Sequence, residues 1–510
     1  MKKITALLIF LFILLATIAL KAQTAEEFFK QGKVKYDSAF LKEAIVFFDK
    51  AIELKPNYGA AFSKRGAAKL GLRDFNGSIA DLTIALEFLQ KDSSIYANIA
   101  TDKCYLGDYK GSIPDYDKAI ELNCKGLHLY RGNAKENSGD YDGALIDYNK
   151  AIELDSANAI AYNSRGYLLS FLEKYQEAVN DFDKAVTLNY VNDQTYNARA
   201  NSKYKLNDYL GAITDHTKAI ELNPLNDYYS NRALAKLMSN DNSGAVDDYT
   251  KAIELNPNRG GDYHNRAVAK LALKDSVGFN EDLYIAEGKY YDQGIEKIIA
   301  LKYYEALNDF DWVININDKS EQAYCRRGAV RYYLGDMEGA LLDNNKAIEL
   351  NPTNGQSYYN RGTIKLAIAD NIGAIEDFTK AVKYDPTDII AIYNRGVAKY
   401  NLQKNKAALK DFNKVIKSDP QNDLAYTYRG LVKGRLNNFE GEIEDYTKAI
   451  ELNPTDAINY LNRGLRKYIM GEDSEAWNDI RKAAKLGDEK AQEFLDKYKN
   501  DQNYNPVIKI

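Results

Sequence analysis

Residues Asp248–Pro257 read DYTKAIELNP, and residues Asp445–Pro454 read the same ten letters. The core of that string, KAIEL, occurs seven times, starting at Lys50, Lys118, Lys150, Lys218, Lys251, Lys346 and Lys448. Apolar residues at helical spacing with Lys and Glu between them specify an amphipathic helix. Asn-Pro ends it, because Asn tolerates a left-handed backbone and proline cannot continue a helix. A chain that keeps returning to one helical phrase is an array of repeats, each touching only its neighbours.

Working outward, Ala159–Tyr190 aligns with Gly355–Pro386. Tyr162, Gly166, Ala178, Phe182 and Ala185 match Tyr358, Gly362, Ala374, Phe378 and Ala381. The small residues let two helices approach, and the aromatic ring fills the gap between them. These five positions resemble the signature of the tetratricopeptide repeat, a helix–turn–helix of about 34 residues. The resemblance covers the chain from about Ala25 to Leu486. It implies an all-α fold, a right-handed α-α superhelix, or solenoid, of paired helices A and B.

The Gly166 position serves as a marker. It recurs at Gly32, Gly66, Ala100, Gly132, Gly166, Ala200, Ala233, Ala267, Gly294, Gly328, Gly362, Gly396, Gly430 and Gly464, which makes fourteen repeats. The step from Ala267 to Gly294 is seven residues short of 34, and the ELNP exit is missing around Ala286–Tyr290. This predicts a local break in the superhelix near Gly288, or else a compact turn that the stack absorbs without bending. The expected organisation is a signal peptide or anchor over 1–22, repeats 1–8 over 23–287, and repeats 9–14 over 288–486. A capping helix over 487–500, with Ala491, Phe494, Leu495 and Tyr498 at helical spacing, and a tail over 501–510 complete it.

A charge set recurs with the period. Arg precedes the marker in eleven repeats, Lys or Arg follows it by three in thirteen, and Asp follows it by fifteen in thirteen. Arg and Lys four apart share a helix face, so the pattern predicts a ladder of ion pairs between helices A and B. The competing reading is a repetitive anion-binding strip.

In this family helix A lines the concave surface, through positions three before the marker and one, four and five after it. The resemblance therefore assigns a ligand-binding set: Asn163, Tyr167, Phe171, Asn197, Asn201, Tyr204, Tyr332, Tyr333, Tyr359, Tyr393, Tyr400 and Tyr468. Relatives that grip C-terminal carboxylates of chaperones carry Lys at the Asn163 position. No repeat here does, so that clamp is not expected. The tyrosines offer large contact area at low entropic cost and a hydroxyl for hydrogen bonding.

Composition bounds the rest. Among 510 residues, 45% are hydrophobic and the net charge is −5 with both signs mixed, so no basic stripe points to nucleic acid. Three cysteines are too few for a disulfide framework. The three histidines have no partner at metal spacing, and His216 occupies the aromatic Phe182 position as a core filler. No phosphate loop or nucleophile motif occurs, so neither an enzyme nor a cofactor or metal is expected. Lys2 and Lys3 precede an uncharged run over residues 4–20, followed by Lys21-Ala22-Gln23, the layout of a signal peptide or a short anchor. The expectation is an exported scaffold, periplasmic or secreted or held at the inner membrane by residues 4–20. It would bind a protein or peptide along its concave face, or alternatively cell-wall glycan on the tyrosines.

Overall fold

Each hairpin of the computed structural model, which describes residues 24–471 and 473–498, is made by one recurring turn. Helix A ends and one residue takes a left-handed backbone, as at Arg73 (φ 64°) and Asn207 (φ 62°). Eight positions after the marker, an Asp then caps helix B. Asp74, Asp108, Asp140, Asp208, Asp241, Asp275, Asp336 and Asp370 each accept from the backbone N–H of a glycine three residues on. A Cβ on Gly111 would lie 2.1 Å from the Asp108 carboxylate, so the glycine is what lets the cap close.

The described residues contain 28 helices and divide into two units, ending at Pro257 and beginning at Asn258. The first holds repeats 1–7. The second holds repeats 8–14 and the helix Glu489–Lys497, which buries Ala491 and Leu495 against Leu461, Trp477 and Ile480. The signal segment and the tail over 501–510 lie outside the described residues.

Inside each repeat the marker and the ring interlock. A Cβ on Gly166 would sit 2.9 Å from the Phe182 ring, and Ala178, Phe182 and Ala185 are fully buried. At Gly434 the intruding group is different: Glu442 replaces the usual alanine of helix B, and a Cβ on Gly434 would lie 2.5 Å from its carboxylate. Arg466 of the following repeat reaches that carboxylate at 2.5 Å. At the corresponding positions of repeats 2 and 3 stand Ser78 and Ser112, both fully buried.

The charge ladder is present. All eleven arginines make two-pronged contacts with their Asp, as in Arg395 Nε–Asp411 Oδ2 at 3.0 Å and Nη2–Oδ1 at 2.8 Å. Lys399 closes the same carboxylate at 2.6 Å. The Arg also reaches one step further than the sequence suggested. Its Nη1 bonds helix B of the preceding repeat, at Asp49 for Arg65, Asp117 for Arg131, Asp183 for Arg199 and Asp311 for Arg327. The same cation lies over the ring three residues before it, as Arg165 does over Tyr162 and Arg429 over Tyr426. These guanidinium groups are occupied by protein partners, which removes the anion-strip reading. Eight of the chain's 40 tyrosines take this place.

The shortened step near Gly288 holds no turn. Ser276–Ile299 is one continuous helix of 24 residues, so helix B of repeat 8 runs straight into helix A of repeat 9. The seam expected between residues 287 and 288 falls inside it. The helix is about 36 Å long, and the turns of repeats 8 and 9 lie at its two ends. Tyr290, midway along it, stacks on Trp312 at 5.7 Å, and His264 meets the same indole at 5.0 Å. The position two after the marker is buried at Val330, Ile364, Ala398 and Val432, yet Glu296 of repeat 9 is exposed, as is Val34 of repeat 1.

Candidate functional site

Within each unit, neighbouring A helices set residues of successive repeats side by side. The structure sorts the twelve expected residues into three groups. Asn163 is buried, and its amide oxygen accepts from Thr195 Oγ1 at 2.8 Å. Thr427 donates to Asn459 in the same way at 2.8 Å. The position three before the marker in these repeats is therefore a joint between A helices, and Asn163 is not an open contact. Tyr468 is also covered: it packs against Trp477, Phe494 and Tyr498.

A second group is half-buried to exposed, and its members lie apart. Phe171 leans on Tyr141 at 5.2 Å, and Tyr167 meets Phe182 edge-on at 5.3 Å. Burial pushes the Tyr167 hydroxyl up to about 12. Asn197 accepts from Asn231 at 3.3 Å, Asn201 is exposed, and Tyr204 packs on Tyr209 at 5.5 Å.

The third group comes together. Tyr332, Tyr333 and Tyr359 line one cavity of about 80 Å³ with Ala329, Asn360 and Thr363. Tyr333 stacks on Tyr303 at 5.3 Å with rings 10° from parallel, leaving its outer face to solvent. Tyr393 and Tyr400 each meet Tyr428 edge-on, at 5.7 and 5.9 Å. Arg435 lies 3.6 Å over the Tyr400 ring and donates to the Tyr400 carbonyl at 2.8 Å. Burial, with help from the neighbouring Tyr428, raises the Tyr393 hydroxyl above its ordinary value.

Sequence reasoning missed the position two before the marker. Tyr428 stands there, as do Asn231, Asn265, Asn360, Asn394 and Asn462, all partly exposed. Asn360 donates to the Cys325 carbonyl of the preceding repeat at 3.3 Å, and Arg326 to Tyr291 at 3.4 Å. The signal was present as recurring Asn directly before Arg, but the family pattern directs attention one residue earlier. The arrangement offers rings, amides and hydroxyls at helix spacing. Among the described residues no group of His, Cys, Asp and Glu could hold a metal ion.

Models of the tetratricopeptide repeat match residues 159–192, 321–354, 355–388 and 393–457, and a TPR repeat model matches residues 132–170. No curated protein matches the chain. Among solved structures, YrrB, described as a TPR protein with an unusual peptide-binding site, is 19% identical, spans 37% of this chain and 97% of its own, and superposes with a TM-score of 0.34. The Cut9–Hcn1 hetero-tetramer of the APC/C is 12% identical over 94% of this chain and 97% of its own, with a TM-score of 0.34. Yeast Tom70 is 17% identical over 92% of this chain and 99% of its own, with a TM-score of 0.30.

Proposed function

We propose, from the premise that this chain is an all-α array of tetratricopeptide repeats, that it is a non-catalytic scaffold that binds an extended segment of a protein partner along its A-helix face. The observation that carries this is the convergence of Tyr332, Tyr333 and Tyr359 on one cavity, with Tyr393, Tyr400 and Tyr428 clustered two repeats further on. Tyrosines that keep a free edge and a hydroxyl suit backbone and ring contacts without demanding a charged ligand. The test is a photo-crosslinking residue placed at Tyr359 or, as control, at exposed Lys346 on helix B. Partner adducts from the native envelope should form at the first position only. Equal adducts at both would remove the assignment.

We also propose export, on the Lys2–Lys3 start and the uncharged run 4–20. Fractionation of a tagged chain into cytoplasm would contradict it. A second reading, glycan binding, has its own support in the parallel Tyr303–Tyr333 pair, whose outer ring is 65% exposed and could receive a sugar face. Binding to purified peptidoglycan sacculi, lost on Tyr332→Ala with Tyr333→Ala, would favour that reading over a protein partner.

A further inference from the structure

A second recess, between the A helices of repeats 3 and 4, holds none of the residues the sequence singled out. It measures about 290 Å³. Tyr105 and Tyr109 form its wall on the side of repeat 3, and Tyr130 and Asn137 its wall on the side of repeat 4. Tyr105 is held upright by Phe75, stacked at 4.9 Å with planes 9° apart. Tyr105 and Tyr130 are 68% and 53% exposed, so their rings stand at the mouth.

Most of the floor is chemically spent; Asn133 accepts from the Tyr148 hydroxyl at 2.8 Å and keeps its side-chain amide nitrogen as a donor. Thr101 Oγ1 donates to the Ala97 carbonyl at 2.8 Å and lies 3.4 Å from the Tyr116 hydroxyl. Cys104 Sγ donates to Ser112 Oγ at 3.2 Å, and Ser112 donates in turn to the Tyr109 carbonyl at 2.7 Å. The rim is not spent: the hydroxyls of Tyr105, Tyr109 and Tyr130 make no hydrogen bond to any described residue. No charged side chain lines the recess.

Three features therefore describe the occupant. It is uncharged. It presents ring or aliphatic faces to flat aromatic walls. It offers acceptors to the rim hydroxyls and to the unspent Asn133 side-chain amide, which donate, and asks for few acceptors in return. A sugar brings donors and acceptors on every side and would leave its floor-facing hydroxyl donors without free acceptors. A proline-rich segment fits better, because it has ring faces, carbonyl acceptors and no N–H at proline. Its extended helix also forms before binding, so little ordering entropy is lost.

We infer that the recess formed by Tyr105, Tyr109, Tyr130 and Asn137 is a docking site for a proline-rich segment. The inference rests on the reading of the A-helix face as a binding surface, but places this ligand in repeats 3–4, away from the cavity of repeats 10–11.

The half-buried thiol of Cys104, on the floor, reports occupancy. The full chain is alkylated with monobromobimane, and the rate at Cys104 is read by peptide mass spectrometry, with and without the peptide Ac-(Pro)8-NH2. Saturating peptide should slow labelling at least threefold, and Ac-(Ser-Ala)4-NH2 should not. Tyr109→Ala with Tyr130→Ala should abolish protection, and Tyr359→Ala should leave it intact. Tyr130→Phe, which keeps the ring and removes one donor, should weaken protection without changing the melting curve. That milder variant covers the case in which the double substitution perturbs folding. No protection in the unsubstituted chain, or equal protection in the double variant, would overturn the site. So would protection by chitotetraose in place of the proline peptide. Loss of proline binding on Tyr359→Ala alone would overturn this site while leaving the broader groove reading standing.

Discussion

Asp102 and His216 are buried titratable groups in positions that usually hold something else. Neither carboxylate oxygen of Asp102 meets a hydrogen-bond donor. Burial pushes the group up to about 6, the nearby Ser78 hydroxyl pulls against this, and Asp74 adds to the rise. His216 fills an aromatic position at 1% exposure, and burial pulls it down to about 4. The two have opposite signs. The folded chain holds the Asp102 proton more tightly than the unfolded chain does, so its cost is absent below pH 4, grows as pH rises and is complete above about 6. The folded chain holds the His216 proton more weakly, so its contribution is intact above about 6.5 and is lost as pH falls towards 4. Each shift corresponds to roughly 2–3 kcal/mol at full extent. Asp102→Asn should raise the thermal midpoint at pH 8 and leave it unchanged at pH 3.5. His216→Phe should remove the loss between pH 6.5 and 4 and expose the falling slope of Asp102 across the same window. A flat profile in both variants would contradict these assignments. His216 was legible as a core filler because the period assigned it an aromatic position. Asp102 was not, because its slot varies in the sequence and only the packing shows what faces it.

At the scale of the element, the recurring unit is a hairpin closed by Asp and Gly and fastened by Arg. The Arg and Asp of one repeat could be paired from sequence, since their offset is constant. The contact of Arg with the preceding helix B could not, because its acceptor changes between Asp49, Asn149, Thr217 and Thr447 and shows no single residue type. The Asp–Gly cap was equally open to inspection, but a search for apolar spacing passes over polar turn residues. Arg395→Ala should destabilise the array by roughly 3 kcal/mol, because Asp411, 6% exposed at its side chain, keeps only Lys399. Lys346→Ala, which breaks an exposed pair with Glu349, should leave the denaturation midpoint unmoved. Repeat 1 lacks both Arg and Asp, with Gln31 and Phe47 in their places, and inside the array the ladder has gaps where Ile99 and Gln293 replace Arg. At the second gap Asp309 retains Lys297 at 2.7 Å, yet burial raises its pKa above the ordinary value. Gln293→Arg should therefore restore a rung and raise the melting temperature, and a fall would show that the gap is needed for packing.

For the whole molecule, the number of repeats, their register and the missing seven residues were all legible. What the missing residues produce was not, since an absent turn reads equally as a kink or as a tightened loop. Helix continuity needs only that residues 286–290 keep helical propensity with no proline, and Ala-Glu-Gly-Lys-Tyr does so despite Gly288, beside which a Cβ would meet nothing. The candidate face was half legible. The tyrosine-rich repeats were found, but residues that look alike in sequence divide between open rings, as at Tyr333, and joints, as at Asn163.

The undivided helix Ser276–Ile299 has a consequence for how the array comes apart. In a repeat protein each unit melts with its own free energy and a coupling to its neighbours. Two units that share one helix have no seam at which to part. Repeats 8 and 9 should therefore open together, and amides on both halves of that helix should show one common exchange free energy. The chain would then behave as a string of thirteen cooperative links, one of them double. Hydrogen-exchange mass spectrometry that resolved two separate openings on either side of Gly288 would show that the fourteenth link survives.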